Sequence, residues 1–382
     1  MTKLSTLILA FGIVTTGTGP PMFREVILAA GGGPRAVAIA DVNHDGKLDV
    51  MVTSEAGVVR VWLGDGKGDF EASSGSPFAA GPQPNDIAVG DFNGDGNLDL
   101  VIPNHQTPFV TLLLGDGKGG FRPSSGSPFS TQSHPHPHGV AVGDFDGDGK
   151  LDAVIDSWGR NQINLLRGDG HGNLVMPGRM FDVGKRPYQR LRSADFNKDG
   201  KPDVVTTNLD ADNVTILLGD GRGGFHEASG SPFPAGAKPW AVAVGDINKD
   251  GNLDLVTIPY GRDVQDPQRI AVSVLLGDGK GGFAPMPGSP LPLGACRNPT
   301  AIATGDVNGD GFRDIAVSCM DPGNPDNLVV FLGSRDGRFH AVTHAARASS
   351  GGIAIADLNG DGRDDIVRAN SEEGTITILV SR

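Results

Sequence analysis

Asp41-Val42-Asn43-His44-Asp45-Gly46-Lys47-Leu48-Asp49 recurs six more times in the 382-residue chain, starting at Asp91, Asp144, Asp195, Asp246, Asp306 and Asp357. The starts lie 50, 53, 51, 51, 60 and 51 residues apart. A period near fifty marks a repeat architecture in which each copy is one supersecondary unit stacked on the next. The copies share the pattern D-x-[DN]-x-D-G-x-x-D, and positions 1, 3, 5 and 9 always carry a side-chain oxygen. The sets are Asp41, Asn43, Asp45, Asp49; Asp91, Asn93, Asp95, Asp99; Asp144, Asp146, Asp148, Asp152; and Asp195, Asn197, Asp199, Asp203. The last three are Asp246, Asn248, Asp250, Asp254; Asp306, Asn308, Asp310, Asp314; and Asp357, Asn359, Asp361, Asp365.

Alternating oxygens on a tight loop converge on one point, and the carbonyl of position 7 can join them. The glycine at position 6 permits the sharp turn. An oxygen-only donor set on a flexible loop favours Ca²⁺ over Zn²⁺, Cu²⁺ or Mg²⁺, so up to seven Ca²⁺ sites are expected. An EF-hand is excluded, because that loop needs glutamate at position 12 and flanking helices. Here position 12 is Val52, Ile102, Ile155, Thr206, Thr257, Val317 and Arg368. The flanks read as strands, as in AVAIA (36–40) and LDVMV (48–52). One such Asp/Asn/Gly segment would be an ordinary turn; seven with the same donor positions are a metal-loop series.

The chain carries 58 Gly and 27 Pro, and short Val/Ile/Leu runs lie between Gly/Asp turns, the all-β pattern. The net charge of −13 excludes a basic nucleic-acid footprint. Its source is local: 22 Asp and 6 Asn fill the 28 donor positions, out of 45 Asp plus Glu. Seven Ca²⁺ ions would add +14 and leave the protein at about +1. Two cysteines, Cys296 and Cys319, argue against a disulfide-stapled miniprotein or a zinc protein. Both fall within one repeat and toward one face, open to a disulfide or to two buried thiols.

Residues 1–21 hold a lysine, an apolar run over 4–14 and a small-residue stretch before Pro20-Pro21, the layout of a secretory signal peptide. The run is too short to span a bilayer. The repeats then occupy 22–382, with blades near 31–80, 81–132, 133–182, 183–234, 235–291, 292–344 and 345–382. Residues 84–129 lay out one unit. An inner strand leads into the acidic loop, and second and third strands follow. The turn GDGKGG (115–120) then leads to a fourth strand and to a Ser/Gly/Pro connection over 124–129. The last repeat ends with its third strand at 375–382. The segment FREVIL (23–28) stands where a fourth strand should, so the two chain ends are expected to pair and close the ring.

On these loops, and on turns such as LGDGKGGF (114–121), the chain resembles FG-GAP/VCBS repeat proteins and is similar to the calcium-binding β-propeller of integrin α subunits. The resemblance covers nearly everything after residue 22. It implies a seven-bladed β-propeller of four-stranded antiparallel blades with Ca²⁺ between the first and second strands. Integrin propellers carry such loops in only some blades. Seven here make secreted bacterial and fungal repeat proteins the closer match. Members include lectins, adhesins and accessory domains of polysaccharide enzymes, so the resemblance implies fold more sharply than function.

Strand direction places the acidic loops and the Gly-Asp-Gly turns on one face, and the second-to-third and inter-blade connections on the other. The second face varies from blade to blade. Arg35, Asn85, His138, Trp240 and Thr300 each follow a proline at the start of an inner strand, and Tyr188 has a near-equivalent place. They should ring the mouth of the axial channel. Trp158, Arg160, Tyr260 and Arg262 fall on second-to-third connections. Aromatic rings beside Arg, Asn and Asp suit sugars; the alternative is that they pack between blades. His134-Pro135-His136-Pro137-His138 reads as a transition-metal site or as a proline-stiffened loop. Arg167-Gly168-Asp169 replaces Leu-Gly-Asp of other blades and is a chance triplet. No G-x-S-x-G, H-E-x-x-H or P-loop is present. A catalytic cluster would need Tyr188, Arg190, His138 and Asp263 to converge. The sequence therefore points to a secreted, non-catalytic binding or adhesion module for glycans or cell-surface proteins. A propeller of a polysaccharide-processing lyase or hydrolase, or a surface scaffold, is the alternative.

Overall fold

The computed structural model describes residues 22–131, 136–187 and 191–382. The signal-peptide reading of 1–21, and the side chains of His134, Tyr188 and Arg190, lie outside the described residues. Seven antiparallel sheets form a β-propeller. Blade one runs, from the axis outward, Pro34–Ala40, Asp49–Ser54, Val58–Gly64 and Phe70–Ala72. Its inner strand adjoins the inner strands of blades two (Ala88–Gly90) and seven (Ile353–Ala356), and such contacts continue around the whole ring. Among the described residues helix is limited to three single 3₁₀ turns, and no helix is long and apolar enough to cross a membrane.

The second strands are buried along their length, each with an apolar stretch after its leading aspartate, because neighbouring blades cover both of their faces. All six residues are buried in Asp49–Ser54, Asp99–Asn104, Asp254–Pro259 and Asp314–Cys319. The core consists of the seams between blades. Met51, Val59 and Val61 of blade one pack with Leu100, Ile102 and Leu113 of blade two, all essentially inaccessible to water. Each such side chain contributes roughly 1.5–3 kcal/mol through burial.

Ring closure follows the expectation. Phe23–Ala29 pairs antiparallel with Thr375–Ser381, in register from Phe23 opposite Ser381 to Ala29 opposite Thr375. It is the outer strand of blade seven. Leu28 packs in the seam with Val50, Val52 and Trp62 of blade one. Phe23 packs in the other seam, with Ala316 and Val330 of blade six.

One connection differs from the expectation. The Ser/Gly/Pro segment over 124–129 is a turn inside the outer edge of its blade, because Phe129–Ser130 returns to pair with the third strand at Val110 and Phe109. Blades one, four and five do the same. The physical reason is a serine hydroxyl. Ser76, Ser127, Ser231 and Ser289 accept the third-strand amides of Val61, Leu112, Ile216 and Val274, satisfying donors where the ladder is interrupted.

Candidate functional site

The acidic loops form one face together with the Gly-Asp-Gly turns. In the first copy Asp41 folds its carboxylate over the turn. Its Oδ1 accepts from the amides of Asn43 and Asp45, and its Oδ2 accepts from Gly46 at 2.8 Å. Asn43 Oδ1 accepts from the Asp45 amide, and Asp45 Oδ1 from Lys47. Gly46 sits at φ +80°, and a Cβ there would meet nothing within 4 Å, so backbone conformation rather than crowding demands glycine. The donor set is all oxygen and strongly anionic, which fits a hard divalent cation. In the third copy one carboxylate oxygen from each of Asp144, Asp146 and Asp152 lies within 4.8 Å of the other two. The Gly-Asp-Gly aspartates are engaged elsewhere. Asp116 Oδ1 accepts from the amides of Lys118 and Gly120, closing its own turn.

Position 9 has a second role that the sequence did not reveal. Asp49 is fully buried, its Oδ2 accepting from the Val42 amide and its Oδ1 from Gly64 at the end of the third strand, both at 2.9 Å. All seven copies repeat this arrangement, down to Asp365 between Leu358 and Ser381. Each position-9 carboxylate thus pins its loop to the blade while standing behind the other donors. Burial pushes Asp99, Asp152, Asp203, Asp254 and Asp314 up to about 6, with nearby loop carboxylates adding to the rise against the opposing amide hydrogen bonds. Asp49 and Asp365 rise for the same reasons. Without a counter-ion these loops hold crowded negative charge.

On the opposite face a cavity of about 370 Å³ opens at the axis. Arg35, Asn85, His138, Trp240 and Thr300 all line it, so the residue after each inner-strand proline does reach the mouth. In three blades a register shift marks that spot, between Pro34 and Val37, Pro239 and Ala241, and Pro299 and Ala301. A bulge leaves the extra residue unpaired and re-aims its side chain, here toward the axis. Trp240 and Tyr260 stack with ring centroids 4.2 Å apart and planes inclined by 17°. Trp240 Nε1 donates to Thr300 O at 3.2 Å, tying blade five to blade six. Arg262, Asn298, Met320, Ser350 and Glu372 complete much of the rim. Arg35 is ion-paired with Glu55.

Other candidates fall differently. Arg160 lies exposed on the turn Trp158–Arg160 and does not line the cavity. Tyr188 is outside the described residues, and so is any side-chain geometry at Trp158. Of the residues needed for a catalytic cluster, His138 lines the cavity, Asp263 does not, and Tyr188 and Arg190 are not described. Asp169 of the Arg-Gly-Asp triplet is sealed in its turn, accepting from the amides of His171 and Asn173.

His105 is a mouth residue that sequence reasoning missed. It follows the second strand of blade two, 31 residues before His136, and faces His136 and His138 across the blade seam. Burial pushes it down to about 4, with His138, His136 and Arg35 nearby adding to the shift. Only its position after Asn104 at a strand end, shared with Glu55 and Tyr260 in blades one and five, signals the mouth. Cys296 and Cys319 are joined in a disulfide, resolving the two sequence alternatives.

A model of the FG-GAP-like repeat matches residues 41–102, 104–155, 195–257 and 306–368. Cartilage acidic protein 1 of Mus musculus is 25% identical over 170 residues, covering 41% of this chain and 26% of that protein. Integrin alpha pat-2 of Caenorhabditis briggsae is 27% identical over 234 residues, covering 49% and 18%. The matched region thus spans about a quarter or less of these relatives. Among solved structures, virginiamycin B lyase from Staphylococcus aureus superposes with a TM-score of 0.58 at 15% identity, over 94% of this chain and 100% of that one. An Agrocybe aegerita lectin that recognises non-reducing terminal N-acetylglucosamine gives 0.53 at 17%, over 91% and 86%. At such identities the likeness is one of fold.

Proposed function

The chain belongs to the FG-GAP-like repeat family, whose model matches more than half of it, and from that premise we propose a secreted, Ca²⁺-stabilised propeller that binds a glycan at its axial mouth without transforming it. The observation that carries this reading is the stacked Trp240–Tyr260 pair in the wall of the 370 Å³ cavity, with Arg262, Asn298 and Asn85 around it. A pocket of that size suits a terminal sugar or a short glycan end. The flat aromatic surface matches the apolar face of a pyranose, and the amide and guanidinium groups reach its hydroxyls. The disulfide supports an oxidising compartment, hence secretion.

Residues at positions 1, 3 and 5 of each loop, with the position-7 carbonyl and the position-9 carboxylate, would hold Ca²⁺. The ion supplies the positive charge that relieves the crowded carboxylates, coupling metal binding to folding. The position-9 aspartates then hold each loaded loop on its blade, and the seven blades together fix the spacing of the mouth residues.

A glycan array probed with the folded protein in millimolar Ca²⁺ tests the reading, with Trp240→Ala alongside. Selective binding that the variant loses is the expected result. An array on which no glycan binds above background, or binding that survives Trp240→Ala, would move the function to a cell-surface protein partner or away from the mouth.

A further inference from the structure

His105, His136 and His138 come from two blades and meet at the mouth. One ring nitrogen from each lies within 4.8 Å of the other two. His136 Nδ1 and His105 Nε2 are 3.1 Å apart. In a tetrahedral zinc site with Zn–N bonds of 2.0–2.1 Å, two ligand nitrogens stand about 3.4 Å apart, so this edge of the triangle is already at ligating separation. The ring centroids are 4.7 Å apart for His105 and His138 and 5.9 Å for His136 and His138, and the nitrogen edges that involve His138 stay within 4.8 Å.

The surroundings fix the main chain at His105 and His138 and back the His138 ring with a carboxylate. The His105 amide donates to Gln83 O at 2.8 Å. Asn85 Nδ2 donates to His138 O across the seam. Asp156 accepts the amides of His138 and Gly139 through Oδ1, and its Oδ2 stands 3.4 Å from His138 Nδ1. A carboxylate behind an imidazole is the usual device for orienting a ligating histidine and raising its basicity. His136 adopts φ +110°, an unusual conformation for a non-glycine residue, and its ring lies edge-on to that of His105. His105 and His138 also line the cavity, so the cluster has an open approach from solvent.

We propose that His105, His136 and His138 form a binding site for one borderline transition-metal ion, Zn²⁺ foremost, in the wall of the axial mouth. Three imidazoles with one side toward an open cavity match a zinc centre that keeps a coordination position free for water or a ligand atom. The oxygen loops on the other face select hard cations, so the two faces select different metals.

Isothermal titration of the full chain with Zn²⁺, in saturating Ca²⁺ so that the acidic loops are filled, tests this. One Zn²⁺ per chain is expected, with Co²⁺ giving the visible absorption of a tetrahedral nitrogen site. His105→Ala and His136→Ala should each weaken Zn²⁺ binding by about 100-fold or more. His226→Ala, on the exposed outer strand of blade four, should leave it unchanged. Melting curves in Ca²⁺ without Zn²⁺ establish that the variants fold, and Zn²⁺ should raise the melting temperature of the parent but not of the two His variants. Absence of a stoichiometric Zn²⁺ site in the parent, or affinity retained in the His105→Ala/His136→Ala double variant, would overturn the proposal. Neither result depends on whether a glycan binds.

Discussion

Replacing Phe23 and Leu28 with alanine should open the ring, and the size of the loss follows from where the two side chains sit. Both are 6% exposed on one strand, Phe23–Ala29, which completes the blade formed by the other end of the chain. Five positions separate them, so they point to opposite faces of the strand. Leu28 enters the seam with blade one and Phe23 the seam with blade six, where its ring lies edge-on to His344 at 5.0 Å. A buried Phe→Ala change costs about 3–5 kcal/mol and Leu→Ala about 2–5. The two sites are about 17 Å apart along the strand and share no partner, so the losses should add to within about 0.5 kcal/mol. The double variant should therefore lose about 5–10 kcal/mol, comparable to the whole stability of an ordinary domain. Urea unfolding in saturating Ca²⁺ measures this, with Val175→Ala as an exposed-site control expected within about 0.5 kcal/mol of the parent. A loss below about 1 kcal/mol for either single variant, or a double variant no weaker than the worse single, would refute closure by this strand.

The position-9 staple predicts that Asp203→Ala destabilises the protein by at least about 1 kcal/mol even in chelator, since the amides of Phe196 and Gly219 lose their acceptor. Asp195→Ala, whose partner amides on Asp199 and Gly200 are exposed, should in chelator cost less than that and should show its effect in Ca²⁺ titrations; equal losses in chelator would remove the distinction. The raised position-9 carboxyls give a pH signature. With folded values about 6 against an ordinary 3.8, the metal-free fold holds protons that the unfolded chain releases. Their stabilisation is full below about pH 4 and lost as pH rises through 6. The gain in melting temperature on adding Ca²⁺ should therefore grow across that window, and a gain independent of pH would count against the loops as its source. Reduction, or the Cys296→Ser/Cys319→Ser double variant, should cost about 3 kcal/mol, the loop-closure value for bridged residues 23 apart; an unchanged urea midpoint would show that the bridge does not constrain the unfolded chain.

The sequence made the scaffold legible because its constraints are local and repeated. Each acidic loop is a nine-residue pattern, and seven copies made the blade count and the strand order arithmetic. The missing fourth strand of the last repeat then pointed to residues 23–28, and Phe23–Ala29 fills that place. The contacts that escaped are non-local or rest on backbone geometry. His105 meets His136 and His138 only because blades two and three adjoin at the axis. The hold of Asp49 on Gly64 spans fifteen residues and looks in sequence like one more loop carboxylate. The return of Phe129–Ser130 to the third strand depends on the hydroxyl of Ser127 replacing a ladder partner, which composition alone cannot distinguish from a solvent-facing serine.

The mouth shows how a repeat can hold its fold constant while its surface varies. Proline at the start of an inner strand cannot donate to the ladder, and the register shift that follows it in blades one, five and six releases one residue from pairing. That residue's side chain borders the mouth, so its identity is set less tightly than that of the second strands, which are buried along their whole length, even though Trp240 also packs against the seam of blades five and six. The same position reads Arg35, Asn85, His138, Trp240 and Thr300 in five blades, and all five side chains border one cavity. The acidic loops have no such freedom, because each donor and each glycine is tied to the turn it closes. Ligand selectivity is therefore to be sought where the repeat pattern breaks down, at one residue per blade and on the connections behind it.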